Sequence, residues 1–301
     1  MTDHIDKNTT LSSTKEVASR SRFHPLWVAW LTQRKRWVPT LVLIPALYGL
    51  GWLVMQPIAQ LIPDLPIASR DLLGTTISLL LFLMVLPSWV RIRWSTRHPW
   101  RQLGLNRTSS GPKRSRALLR GFLWAVALLV LISLISLGGQ WAYWLGDLPF
   151  PRLINALLLC FGVGLAEELL FRGWLWGELN LLLGARRAVP AQAAIFSLVH
   201  TRFNLGFWPM VGLLVGLFLL GMALATRRRL DQGSLWGCVG LHGGLVGGWF
   251  ALQSGLLQWS PQSPLWLTGP GDNPLGGLVG IVAMGALVAV QLTALARAAR
   301  P

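Results

Sequence analysis

Charge is scarce in this chain, and acid is scarcest. Of its 301 residues 13% are charged and 53% are hydrophobic, with a mean hydropathy of +0.51. That balance excludes an ordinary soluble domain. Asp and Glu number 11 against 27 Lys and Arg, a net charge of +16. In a soluble protein such an excess would point to nucleic acid. Here the basic residues fall between apolar segments, the pattern that sets membrane orientation, so the bilayer rather than nucleic acid is the expected partner. Cysteine is limited to Cys160 and Cys238, both inside apolar segments. That excludes a disulfide framework and a Cys-based metal site, leaving two buried packing residues. The first 36 residues contain no short apolar core followed by a small-residue cleavage site, so no removable secretory signal is expected. An H-E-x-x-H motif and an internal repeat are also lacking.

What the chain has instead is apolar runs. They fall at about Trp37 to Ile58, Leu72 to Val90, Ala117 to Leu137, Leu153 to Phe171, Val189 to His200, Trp208 to Thr226, Ser234 to Leu252 and Leu275 to Ala296. Most reach the roughly 20 residues that a helix needs to cross the hydrocarbon core. The Val189 run is short and is read as a partial helix continued by Thr201 to Asn204. The expected fold is all-α: a polytopic transmembrane helical bundle of about eight spans over residues 37–300, preceded by a basic cytoplasmic arm at 1–36. Within that arm, residues 1–19 have the composition of a disordered segment, and Phe23, Trp27 and Trp30 suit an interfacial position. If the N-terminus is cytoplasmic, the inside segments carry 22 of the 27 Lys and Arg. The expectation is therefore an integral multi-pass membrane protein with both termini in the cytoplasm. Gly240, Gly244 and Gly248 recur at every fourth position, as do Gly212 and Gly216, a spacing that lets membrane helices approach closely.

The stretch from Gly164 to Glu178, G-L-A-E-E-L-L-F-R-G-W-L-W-G-E, breaks the apolar pattern. Glu167 and Glu168 end a run that hydropathy places inside a bilayer, where an ionised side chain costs about 2.5 to 3.5 kcal/mol and persists mainly beside a partner or a wet cavity. Arg172 lies four residues after Glu168, acid before base, the favourable order for an i,i+4 pair. Glu167 points about 100° away, on the face of Phe171, Trp174 and Glu178. One glutamate is tied down and its neighbour is left for other work.

Of five histidines, His4, His24 and His98 lie in segments outside the apolar runs, whereas His200 and His242 fall within them. Phe196 and Gln192 share the helical face of His200, and Val246 lies one turn beyond His242. Three acid–base groups thus come from three membrane helices. A lone histidine there is as often a hydrogen bond between helices, and an acid beside an Arg is often only a buried ion pair. Their joint occurrence favours function. A desolvated Glu is suited to take a proton from water, a neutral His to orient that water or protonate a leaving amine, and a second His to stabilise an oxyanion. The same set, two His and one Glu, would equally serve as ligands of a catalytic zinc with water in the open position.

At these residues the chain resembles the CAAX-protease and bacteriocin-processing (CPBP, or Abi) family of intramembrane proteases. A-E-E-L-L-F-R matches the E-E-x-x-x-R signature, F-S-L-V-H matches F-x-x-x-H, and His242 matches the third motif, within a core at about residues 153–252. That third motif is usually H-x-x-x-N, and here Val246, which cannot donate a hydrogen bond, occupies the Asn position. The resemblance implies a helical-bundle endopeptidase acting on membrane peptides or proteins, lipidated CAAX substrates among them. Glu167 would activate water with His200, His242 would help hold the oxyanion, Glu168 with Arg172 would fix the helix, and Phe196 fills a motif position. The family is commonly labelled metal-dependent, with a metal-free glutamate mechanism also argued for it. The glutamate mechanism is the expectation here, and zinc the alternative. Two other classes are weighed against it: a degenerate membrane scaffold or immunity partner, which Val246 favours, and a proton-coupled transporter, which the lack of repeat symmetry disfavours.

Overall fold

A computed structural model describes residues 28, 30–31, 36–62, 64–106, 112–269, 273–298 and 300. The expectations for the arm at 1–36, with His4 and His24, fall almost wholly outside these residues. The described chain is a bundle of helices: α1 (Val38–Leu61), α2 (Ile67–Arg93), a single turn α3 (Pro99–Gln102), α4 (Arg114–Gly138), α5 (Phe150–Leu183), α6 (Ala185–Leu198), α7 (Phe207–Leu230), α8 (Trp236–Ala251), a single turn α9 (Leu265–Thr268) and α10 (Leu278–Ala298).

All eight apolar runs are helical, but they are not equally long. Six helices, α1, α2, α4, α5, α7 and α10, are long and apolar enough to cross a membrane. α6 has 14 residues, about 21 Å at 1.5 Å per residue, short of a hydrocarbon core of about 30 Å, whereas α8 has 16 and is continued by a π-helical turn at Leu252–Leu256 that carries it to the chain's second strand. The continuation of α6 through Thr201 to Asn204 is not formed. The helix stops at Leu198, and His200 sits in the turn that follows. The outer helices turn large apolar side chains such as Leu41, Trp52, Leu134 and Val282 outward. In lipid that face needs no cover, because a helix satisfies most of its backbone groups internally. The protein is an integral, multi-pass membrane protein.

α8 is the axis. Every residue from Gly237 to Leu245 is buried, as expected of a helix that is apolar all round. Its glycines serve two faces. Methyl groups on Gly240 or Gly244 would run into Leu118 or Ala125 of α4, and on Gly243 or Gly247 into the backbone of Cys160 or Ala156 of α5. Gly212 and Gly216 of α7 abut the 3₁₀ turn Pro274–Gly276 in the same way. Both cysteines are buried and free, with Cys238 Sγ donating to the Leu224 carbonyl at 3.1 Å. One element escaped the all-α expectation: β1 (Ala142–Trp144) pairs antiparallel with β2 (Leu257–Trp259), with Tyr143 opposite Gln258. This ribbon joins the chain leaving α4 to the chain leaving α8.

Candidate active site

The two glutamates occupy a short α-helical stretch, Gly164–Glu168, between π-helical turns at Leu159–Val163 and Leu169–Leu175 of α5. Such turns recur at functional sites because they re-aim side chains without ending a helix. One turn before Glu168, a Cβ on Gly164 would lie 2.7 Å from the Gly243 Cα. Only a glycine-to-glycine crossing permits that approach, and it is what brings Glu168 of α5 against His242 of α8.

Glu168 is fully buried. Its Oε1 accepts from Arg172 Nη1 at 3.0 Å and from His242 Nδ1 at 2.7 Å. The i,i+4 ion pair read from the sequence is present, and the carboxylate also fixes the imidazole, a role the sequence did not reveal. Arg172 is also fully buried and stacks over the Phe196 ring, 4.1 Å from its centroid. Phe196 meets Phe171 edge-on at 5.0 Å, and its ring centroid lies 4.7 Å from that of His200 and 5.7 Å from that of His242. The motif phenylalanine is thus the packing hub of the cluster.

α6 is pinned to α7 by Ser197 Oγ donating to the Leu214 carbonyl and Gln192 Nε2 donating to the Gly221 carbonyl. Just beyond its end, His200 Nδ1 lies 2.6 Å from the Phe196 carbonyl. A carbonyl only accepts, so the Nδ1 proton is fixed there and the neutral ring presents the Nε2 lone pair. His242, donating from Nδ1 to Glu168, likewise presents Nε2. Both Nε2 atoms face Glu167 Oε2, at 3.6 Å from His200 and 3.8 Å from His242. These separations are too long for direct hydrogen bonds, and no donor among the described residues reaches that buried oxygen.

Glu167 borders two cavities. One of about 340 Å³ is shared with His200, His242, Val246, Gln253 and Asn273. The other, of about 210 Å³, is an apolar slot lined by Ile44, Leu47, Tyr48 and Phe82 of α1 and α2. Val246 therefore does line the site, as its place one turn beyond His242 requires. Gln192, on the helical face of His200, turns away from the cavity to donate to the Gly221 carbonyl. Asn273, whose Oδ1 caps Leu275 N–H at 3.1 Å, was missed, because it enters from a loop with no periodic signal.

The donor types are those of a His₂Glu zinc site. Glu167, His200 and His242 are the residues that would hold such an ion, although among the described residues their spacing is not that of a formed metal site. The same three side chains also support the metal-free glutamate mechanism expected from the sequence.

The helical membrane bundle thus gathers a carboxylate and two histidines at one cavity. Residues 149–247 match the model of a family described as Type II CAAX prenyl endopeptidase Rce1-like, and residues 16–98 match a domain of unknown function (DUF8676). The first match, over residues 149–247, supports the resemblance to the CPBP family of intramembrane proteases that the three motifs carry. No curated protein and no solved structure matches the chain.

Proposed function

We propose that the protein is an intramembrane endopeptidase that hydrolyses peptide bonds near the membrane surface with water activated by Glu167. The observation that carries this reading is the convergence of Glu167 Oε2 and two histidine Nε2 atoms, at 3.6 and 3.8 Å, beside a cavity. A water between three acceptors donates one hydrogen to the carboxylate and the other to an imidazole, which aims its lone pair outward. Glu167 takes the proton as the water oxygen attacks the scissile carbonyl. His200 Nε2, within reach of the same point, relays a proton to the leaving amine. His242, its Nδ1–H held by Glu168, donates to the oxyanion from Nε2 only as an imidazolium. Glu168 and Arg172 hold that ring in place. The apolar slot between α1, α2 and Glu167 suits an apolar or lipid-bearing part of a membrane peptide substrate. The cluster favours cytoplasmic termini no more than the reverse, so orientation rests on the basic residues alone.

The degenerate-scaffold reading keeps one specific support, the apolar Val246 in the cavity wall. A test separates the two. Purified protein in liposomes is offered a panel of membrane peptides, prenylated C-terminal peptides among them, and products are read by mass spectrometry. Cleavage by the parent and none by Glu167→Gln or His200→Ala, with all three folded, is expected. Cleavage by Glu167→Gln at the parent rate refutes the mechanism, and no cleavage by the parent across the panel favours the scaffold.

A further inference from the structure

On the far side of Arg172 lies a cavity of about 430 Å³ that the catalytic reading does not use, lined by Trp94, Gln102, Trp176, Asn180, Arg228 and Arg229 among others. Its charge is unbalanced. Arg93, Arg120, Arg172 and Arg227 each pair with a carboxylate, whereas among the described residues none lies within ion-pair distance of Arg228 or Arg229. Arg228 is nevertheless rigidly held: Nε donates to the Gly233 carbonyl at 3.1 Å, Nη2 to Gln102 at 3.0 Å, and Nη1 to the Arg172 carbonyl. Its guanidinium also sits 5.0 Å from the centroid of a Trp176 ring. Of five guanidinium N–H groups, three are used this way and two remain. Trp176 is 7% exposed and its Nε1–H has no acceptor among the described residues. Two guanidinium cations without a carboxylate partner and with N–H groups to spare, beside an unpartnered indole N–H at one cavity, are what an oxyanion requires.

We propose that this cavity binds the phosphate of an anionic phospholipid headgroup. Its place argues for lipid as the source of the phosphate. Arg228 and Arg229 end the membrane-length helix α7, at the level where headgroup phosphates lie, and Trp94 and Trp176 are the aromatic type enriched at that boundary. Basic pockets between membrane helices bind such headgroups through the same chemistry.

Native mass spectrometry of the full chain in neutral detergent tests this without reference to peptidase activity. The probes are dioctanoyl phosphatidylglycerol, dioctanoyl phosphatidylcholine and inorganic phosphate. Phosphatidylglycerol is expected to bind the parent more tightly than phosphatidylcholine. Arg229→Gln removes one charge from a side chain whose one hydrogen bond, to the Ala185 carbonyl, is long at 3.4 Å, and Asn180→Asp adds an opposing charge at an exposed position. Each variant is expected to weaken phosphatidylglycerol binding about fivefold, and the pair about 25-fold, with unchanged unfolding temperatures. Equal binding of the two lipids, or phosphatidylglycerol affinities unaffected by both variants, overturns the proposal. Inorganic phosphate binding as tightly as phosphatidylglycerol would assign the site to free phosphate and overturn the lipid as source.

Discussion

Replacing Glu168 by Gln keeps the size of the side chain and removes its charge, leaving Arg172 with no counter-ion in a fully buried position. At the observed 3.0 Å and an effective dielectric of about 20, the lost attraction is about 5 kcal/mol. Breaking one side of a buried pair typically costs about 3–5 kcal/mol, because the surviving charge remains desolvated. The Gln oxygen still accepts from one neighbour, which puts the expected loss at the lower end. At about 2–4 °C per kcal/mol, thermal unfolding followed by tryptophan fluorescence in detergent should fall by at least about 6 °C. Glu167→Gln is the control. That side chain is 28% exposed and makes no close ion pair, so its unfolding temperature should stay near the parent's. Arg172→Met added to Glu168→Gln should recover much of the loss, since replacing both partners of a buried pair by uncharged groups is often nearly neutral. If Glu168→Gln unfolds at the parent temperature, or the double variant falls further than either single one, Arg172 is not a buried, singly compensated charge and the account of the cluster is wrong.

Val246→Asn should raise single-turnover cleavage of a membrane peptide by about 10²-fold, the worth of one oxyanion donor, and the gain should vanish when Glu167→Gln is added. A parent as fast as its Asn variant would show that Gln253 or Asn273, both at the same cavity, already fills the role. Gly243→Ala should destabilise the protein, because its methyl would strike the Cys160 carbonyl at the α5–α8 crossing. Near-parent unfolding of that variant would refute the close approach. Single cysteines placed at Ser109 and Ser263 should label from opposite faces of the membrane; labelling from one face would overturn the topology drawn from the basic residues.

The cluster of Glu167, Glu168, Arg172, His200 and His242 was legible because each is an ionisable residue in an apolar run, and because Glu168 and Arg172 are four apart on one helix. Hydropathy located all eight helices for the same reason. It does not tell which of them cross: α6 is short and packed in protein, and α8 reaches the length of a span only with its π-helical continuation at Leu252–Leu256. The bond from Glu168 to His242 was hidden. It depends on Gly164 meeting Gly243, a contact between residues far apart in sequence. Glu178 was equally opaque: its partners come from Thr40, Trp89, Arg93 and Trp94, none of them at a periodic offset from it.

That last cluster bears on how the chain can be divided. Glu178 is fully buried, and all four of its side-chain partners lie within residues 16–98, the region of unknown function, while Glu178 itself belongs to the endopeptidase-like region. Cutting the chain between the two matched regions would leave a carboxylate in the interior without a single one of those donors, a few helical turns along α5 from Glu167. The α4 helix, which carries the glycine face of α8, lies outside both regions. The boundaries that similarity draws along the chain are therefore not seams at which the protein can come apart. A shortened version keeping only the matched endopeptidase-like stretch would forfeit the neighbours that hold α5, and a graft of that stretch onto another membrane anchor would need a replacement for the Glu178 pocket before Glu167 could be placed at all.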